Sequence, residues 1–158
     1  MGFGAPSVKG RALRWLAQRE HSRAELERKL ARVVEDKPDA PAEVQIAAAL
    51  DDLAAKGLIS EARVAESVRA GQGQRFGSRR LKQTLLAKGL DAGLVASTLQ
   101  QARGTELERA REVWRRRYGE PAADAAGRAK QMRFLAGRGF DSDVIRRVVQ
   151  GGEEEASD

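Results

Sequence analysis

His21 is the only histidine in this 158-residue chain, and there is no cysteine. These two residue types supply most side-chain nucleophiles and transition-metal ligands, so thiolate chemistry, disulfides and the usual structural zinc sites are excluded. A Ser-His-Asp relay would have to use His21, but that residue stands directly before Ser22 at a helix start, and no nucleophile elbow lies near it. It reads as a helix-boundary residue. Carboxylates cluster at Asp51-Asp52, on a helix face, and at Glu153 to Glu155, in a terminal acidic run. Neither arrangement builds the water-excluding pair that acid–base catalysis needs. The stretch GAPSVK at Gly4 to Lys9 has the outline of a phosphate loop, but it lacks the second glycine before the lysine and no strand precedes it. The chain is therefore read as a binding module, not an enzyme, with no catalytic, cofactor or metal-ligating residue.

The remaining chemistry is cationic. Lysine and arginine number 29 against 23 acids, a net charge of +6. Residues 1–59 hold 10 bases and 9 acids, 60–104 hold 8 and 3, 105–150 hold 11 and 7, and 151–158 hold 4 acids alone. The positive field thus lies in the middle and third portions, and such a field attracts nucleic acid or an acidic protein surface. No apolar run has the length of a membrane span, and MGFGAPSVKG lacks the apolar centre of a signal peptide, so a cytoplasmic protein is expected. Met1-Gly2 begins like a myristoylation signal, which fails at Pro6.

Helices must position these cations. Aromatic residues are 4% of the chain while apolar residues reach 41%, a balance that favours many slender helices. Apolar residues recur at helical spacing between dense start and stop signals. A first helix is marked by Leu13, Leu16 and Ala17. A capping box at Ser22 to Glu25 opens a second, with Leu26, Leu30 and Val33 on one face. The third turns Ile46, Leu50 and Leu53 inward and stops at Gly57. Ser60 caps a fourth with Val64 and Val68, ending in the GQGQ stretch at 71–74. Ser78 begins a fifth with Leu81 and Leu85, and Asp91 a sixth with Leu94, Val95 and Leu99. A second capping box, Thr105 to Glu108, opens a seventh lined by Leu107, Ala110, Trp114 and Tyr118. An eighth carries Met132 and Leu135, and Asp141 caps a ninth with Val144, Ile145, Val148 and Val149.

Three corners share one pattern: LAAKGL from Leu53, LLAKGL from Leu85 and LAGRGF from Leu135. A cation faces the negative end of the helix dipole, and the following glycine takes the left-handed conformation that ends a helix. The runs SRAELERKL, GSRRLKQTLL and RAKQMRFL also overlay with Leu30, Leu85 and Leu135 in register, and together with the corners they predict an all-α protein of three tandem three-helix repeats, 10–59, 60–104 and 105–150, stacked into an elongated body. Residues 1–9 form an N-terminal arm and 151–158 a disordered acidic tail.

On the fifth helix, burial of Leu81 and Leu85 turns Arg79, Lys82, Gln83 and Leu86 to the opposite side. On the seventh, Arg115 and Arg116 face outward, with Glu112 placed to pair with Arg116. The full set of candidate contacts is Arg69, Arg75, Arg79, Arg80, Lys82, Lys88, Arg115, Arg116, Lys130 and Arg133.

The runs ALRWLAQREHSRAELERKLAR at 12–32, GLISEARVAESVR at 57–69, RFGSRRLKQTLLAKGLD at 75–91 and RAKQMRFLAGRGFDSDVIRRVV at 128–149, in this order and spacing, resemble the RecX family, bacterial regulators of the RecA recombinase. The resemblance implies a curved body lying in the groove of the RecA–DNA filament. It also implies modulation, usually inhibition, of ATPase, strand exchange and coprotease activity in recombination and the SOS response, by a monomer without chemistry or cofactor of its own. Single- or double-stranded DNA is a further expected partner, and a general nucleic-acid-binding helical protein is the alternative. The chain departs from the family's pattern in three places. Val64 and Val68 replace aromatic residues, which implies looser packing there. GQGQ replaces a basic helical stretch, and Arg75-Phe76-Gly77-Ser78 stands where Gly-Tyr-Gly-Pro is usual.

Overall fold

In the computed structural model, which describes residues 4–155 and the side chains of 4–151, nine α-helices follow one another along the chain. They are α1 (Val8–Gln18), α2 (Arg23–Ala31), α3 (Ala42–Ala55), α4 (Glu61–Gln72), α5 (Ser78–Ala87), α6 (Ala92–Arg103), α7 (Glu106–Arg117), α8 (Ala125–Gly137) and α9 (Ser142–Glu155). Among the described residues there is no strand, only an isolated bridge between Lys37 and Ala40. The all-α expectation is met.

The start signals work through their side chains. The Ser22 hydroxyl accepts from the Glu25 amide at 3.1 Å while the Glu25 carboxylate accepts from the Ser22 amide at 3.1 Å, a complete capping box. Ser60 accepts from the Arg63 amide at 3.2 Å, and Ser7 and Asp124 cap α1 and α8 in the same manner. Pro41, with no side-chain cap to offer, is helped by Asp36, which accepts from the Ala42 amide at 2.7 Å. The expected second box is absent. Thr105 has φ −116° and ψ 3° instead of the extended backbone of an N-cap, so its hydroxyl reaches the Ala102 carbonyl at 3.3 Å and the Arg109 Nε at 3.1 Å.

The inward faces also need adjustment. On α1 the buried residue is Ala12, with Val8, Trp15 and Leu16 packed beside it, while Leu13 and Ala17 are exposed. Because α2 ends at Ala31, Val33 lies past the helix and is exposed, and Val34 packs inward instead. The acidic terminus begins as helix, since α9 continues through 151–155. Glu is a good helix former, and Gly151 does not take the left-handed turn that stops α3, α5, α7 and α8. The expected arm and tail extend to residues 1–3 and 156–158, which lie outside the described residues.

Two compact units are present. The first comprises the chain up to Ser67 together with Ala87–Asp91, and the second Val68–Leu86 together with the chain from Ala92 onward. In the first, Leu26, Leu30, Ile46, Leu50 and Leu53 of α2 and α3 form a core with Ala12 and Ile59. In the second, Ala110 and Trp114 of α7 meet Leu135 of α8, Phe140, and Ile145, Val148 and Val149 of α9. These cores join the helices expected in the first and third repeats. The stretch expected as the middle repeat is shared between the units. Val64 and Val68, the smaller replacements on α4, are nonetheless buried.

A repeated docking device accounts for that division. In the first unit, the α5–α6 corner sits on the N-terminus of α2. Ser22 Oγ donates to the Lys88 carbonyl at 2.5 Å, Arg28 to the Ala87 carbonyl at 2.7 Å, and Lys88 Nζ to Glu25 at 3.0 Å. In the second unit, the α8–α9 corner sits on the N-terminus of α5. The Gly77 amide donates to the Arg138 carbonyl at 2.9 Å and the Arg79 amide to the Gly139 carbonyl at 3.0 Å. Carbonyls left over at one helix's C-terminus thus meet donors at another's N-terminus, and the two dipole ends attract. Each corner glycine lets the backbones approach. A Cβ on Gly89, at φ +70°, would lie 2.6 Å from Ala24 Cβ. The remaining corner is open: Gly57, at φ +73°, has nothing within 4 Å of such a Cβ. Its Leu58 amide closes the turn on the Leu53 carbonyl at 3.0 Å, but the side chain stays 41% exposed while Ile59 is buried instead.

Gly57→Ala should therefore cost only the left-handed backbone penalty, about 1 kcal/mol. Gly89→Ala adds an overlap with Ala24 and should cost about 2 kcal/mol or more. Urea unfolding of both variants checks the ordering, and equal midpoints would show that the α5–α6 corner is not seated on α2.

Candidate interaction surface

The ten cationic candidates occupy different environments. On α5, Leu81 and Leu85 are buried, while Arg79, Arg80, Lys82 and Gln83 are exposed beside Leu86, which is 51% exposed. Arg79 pairs with Asp141 at 3.5 Å. Among the described residues Lys82 has no ion-pair partner. This face offers charge that the fold does not consume, because surface pairs of this length add little to stability.

Lys88 is different, since it is half-buried and held by Glu25. Burial penalises the Glu25 carboxylate, but hydrogen bonds from Arg19, Lys88 and the Ser22 amide outweigh it and hold its pKa near about 2. Beside it, His21 is 1% exposed and no mere boundary residue. Its Nε2 faces the Lys29 ammonium at 2.9 Å and its Nδ1 the Arg19 carbonyl at 3.0 Å. A lysine can only donate, so Nε2 accepts and the proton sits on Nδ1, which donates to the carbonyl. Burial, reinforced by the Arg19 and Lys29 charges, lowers its pKa below 6.5. Below pH 6.5 the unfolded chain therefore binds protons more readily than the folded chain, and stability falls as pH drops through 6.5. Glu25 adds a second loss between about 4.5 and about 2. Denaturant midpoints at pH 8 and pH 5.5 should decline in the parent and decline less in His21→Phe. A parent midpoint that is flat across this range would contradict the buried neutral imidazole.

Of the others, Arg69 is half-buried on α4, Lys130 is exposed on α8, and Arg133 is exposed on α8 beside Met132, Ile145 and Arg146. Arg115 and Arg116 point outward on α7, and Glu112 engages both, at 3.8 and 3.0 Å.

The second unit also assembles a site that the linear pattern does not display. A recess of ≈ 520 Å³ is lined by Arg75, Arg109, Arg116, Arg117 and Arg138, with Glu112 as its one acid and with Gln74, Val113 and Phe134 completing the wall. Only Arg75 and Arg116 come from the ten candidates. Arg109 is a strut. Its guanidinium donates to the Gly73, Phe76 and Ala102 carbonyls, the last two at 2.7 Å, and thereby fastens the α4–α5 connection to α7. Burial lowers its pKa, Glu106 pulls the other way and the neighbouring Arg69 adds to the lowering; a guanidinium nonetheless stays charged at neutral pH.

Around the recess, guanidinium and aromatic groups alternate. Arg80 lies 4.0 Å from the Phe76 ring centre and Arg138 5.6 Å from it. Arg138 is also 5.3 Å from Phe134, and Arg117 is 5.6 Å from Phe134 and 5.9 Å from Tyr118. Tyr118 meets Phe134 edge-on at 5.6 Å. Stacked guanidiniums keep their N–H edges free while losing conformational freedom in advance. Arg117 and Arg138 stand at the ends of α7 and α8, beside their stop signals, where a C-terminal cation is ordinary. Their convergence is a property of helix pairing. Among the described residues no group of three or more His, Asp or Glu is arranged to hold a metal, and no helix is long and apolar enough to cross a membrane.

The chain as a whole is similar to known proteins. Residues 105–149 match the family model described as RecX, third three-helix domain. The chain is 53% identical over 149 residues to a protein of Leptothrix cholodnii named Regulatory protein RecX, covering 94% of this chain and 91% of that one. A protein of the same name from Ralstonia nicotianae is 43% identical over 147 residues, covering 93% and 89%. The crystal structure of RecX from Lactobacillus salivarius superposes with a TM-score of 0.73 at 22% identity, covering 92% of this chain and 94% of that one.

Proposed function

Because this chain belongs to the RecX family of regulatory proteins, we propose that it is a non-enzymatic cytoplasmic regulator that binds the RecA–DNA filament along its groove and inhibits ATP turnover, strand exchange and coprotease activity. The 53% identity across nearly the whole chain to a regulatory protein RecX is the observation that carries this reading. The cationic face of α5 supports it, since Arg79 and Lys82 are exposed and not required by the core. A filament presents both phosphate and acidic protein surface, and a chain touching several protomers gains affinity through multivalency.

The test is RecA ATPase on single-stranded DNA titrated with this protein. Inhibition is expected well below one molecule per protomer. Inhibition only at or above equimolar ratio would favour simple coating. The double variant Arg79→Glu/Lys82→Glu should keep its helicity while weakening filament binding about tenfold and flattening its salt dependence. Arg115→Glu/Arg116→Glu should do less, because Glu112 already offsets that charge. The guanidinium–aromatic ladder favours a second reading, a general nucleic-acid-binding protein, under which both double variants lose single-stranded DNA affinity comparably and filament binding falls in proportion. Full filament binding by the α5 variant would refute the surface assignment.

A further inference from the structure

The recess on the second unit has a chemistry of its own, and we infer that it is a binding site for phosphate groups of nucleotide chemistry, taken from a free nucleotide or from a nucleic-acid strand. Five guanidiniums face one carboxylate within ≈ 520 Å³, a volume in the range of small-ligand sites. Such an excess of one sign in a concave wall concentrates field and selects a ligand with several negative charges. A single carboxylate would engage one guanidinium fork and leave the others unmatched.

The groups divide by role. Arg109 spends four of its five donors on the Thr105 hydroxyl and three backbone carbonyls, so it contributes mainly charge and rigidity. Arg117 and Arg138 have no ion-pair partner among the described residues and are steadied against Phe134, so their N–H edges are available for bidentate contact with phosphate oxygens. Arg75 is exposed, and Arg116 is held by Glu112 at 3.0 Å. The half-buried Phe134 and Val113 give the site an apolar portion, against which a base or sugar can rest. The exposed Gln74 side chain supplies both donor and acceptor at the edge. Mixed cationic and apolar lining is what distinguishes a nucleotide from inorganic phosphate.

Equilibrium titration of the full chain by fluorescence anisotropy tests this, with a labelled nucleoside triphosphate and a labelled single-stranded oligonucleotide as probes and unlabelled tripolyphosphate as competitor. Saturable binding of at least one probe is expected, displaced by tripolyphosphate. Preference for the first probe identifies a free nucleotide as the source, and preference for the second identifies the nucleic-acid backbone. Arg117→Gln/Arg138→Gln should weaken binding about tenfold. Arg117→Lys/Arg138→Lys keeps the charge but not the planar fork, and should still weaken it several-fold. Arg103→Gln/Arg147→Gln, on exposed positions outside the recess, should change little. If the arginine variants fail to fold, Glu112→Gln decides: removing the one acid from an exposed position should tighten binding about threefold. Absence of saturable binding, lysine variants equal to the parent, or a Glu112→Gln protein that binds no tighter would each overturn the inference. No recombinase enters these measurements, so their outcome is independent of the filament reading.

Discussion

Gly77→Ala is expected to destabilise the second unit by about 3 kcal/mol or more, lowering the melting midpoint by about 6–12 °C. A Cβ there would lie 2.5 Å from the Gly139 carbonyl oxygen and closer still to the Phe140 amide nitrogen and Cα. Those are backbone atoms of a closed helix corner, and they cannot rotate away as the end of a side chain can. To admit the methyl group, the α8–α9 corner must lift from the α5 N-terminus, which breaks the Gly77-to-Arg138 and Arg79-to-Gly139 hydrogen bonds. Gly71→Ala is the matched control. It lies within α4 with nothing within 4 Å of an added Cβ, so it should be neutral or stabilise by up to about 1 kcal/mol through helix propensity. Differential scanning calorimetry on both variants checks this, and a Gly77→Ala midpoint within 2 °C of the parent would mean the corner is not packed as described.

Glu106→Ala should cost about 3 kcal/mol or more, because one buried carboxylate serves three donors. It is 3% exposed. Its Oε1 accepts from the Ser78 amide at 3.1 Å and the Asp141 amide at 3.2 Å, and its Oε2 from the Ser78 hydroxyl at 2.8 Å. The first two amides belong to the starts of α5 and α9, so a negative charge sits where two helix dipoles point their positive ends. Alanine leaves both amides without an acceptor in a closed space. Glu106→Gln should cost less than half as much, since its carbonyl still accepts from both amides while the Ser78 hydroxyl turns to accept from the new NH₂. Denaturant unfolding that finds the two variants equally damaging would indicate a simple loss of charge instead of a loss of acceptors.

Glu106 also shows where linear reading stops. It stands inside Thr105 to Glu108, which has the composition of a capping box, and local chemistry alone assigns it to the start of α7. In the fold Thr105 is not extended and Glu106 turns to α5 and α9, because two helix starts separated by dozens of residues along the chain meet at its side chain. The Ser22 box, built from the same composition, forms as read, since both partners lie within one turn and need nothing from elsewhere. Val33, expected on the inner face of α2, is exposed for a related reason. Periodicity indicates that a stripe exists, but an Ala-rich or short helix has more than one stripe, and the neighbour selects which is buried.

What the residues determined by themselves is local: nine helices among the described residues, set by 3.6-residue periodicity and start signals, corners set by glycines that adopt positive φ, and an exposed cationic face on α5 opposite Leu81 and Leu85. These depend on interactions within a few residues, whose geometry the backbone dictates. Tertiary structure alone decided that the α5–α6 corner joins the first unit through Ser22, Ala24 and Glu25, that His21 is neutral and enclosed, and that Arg109, Arg117 and Arg138 surround one recess beside Phe134. Each depends on which helix ends come into contact. Contacts of that kind leave no period in the chain, because an arginine at a helix terminus has the same local reason to be there whether it faces water or a binding site.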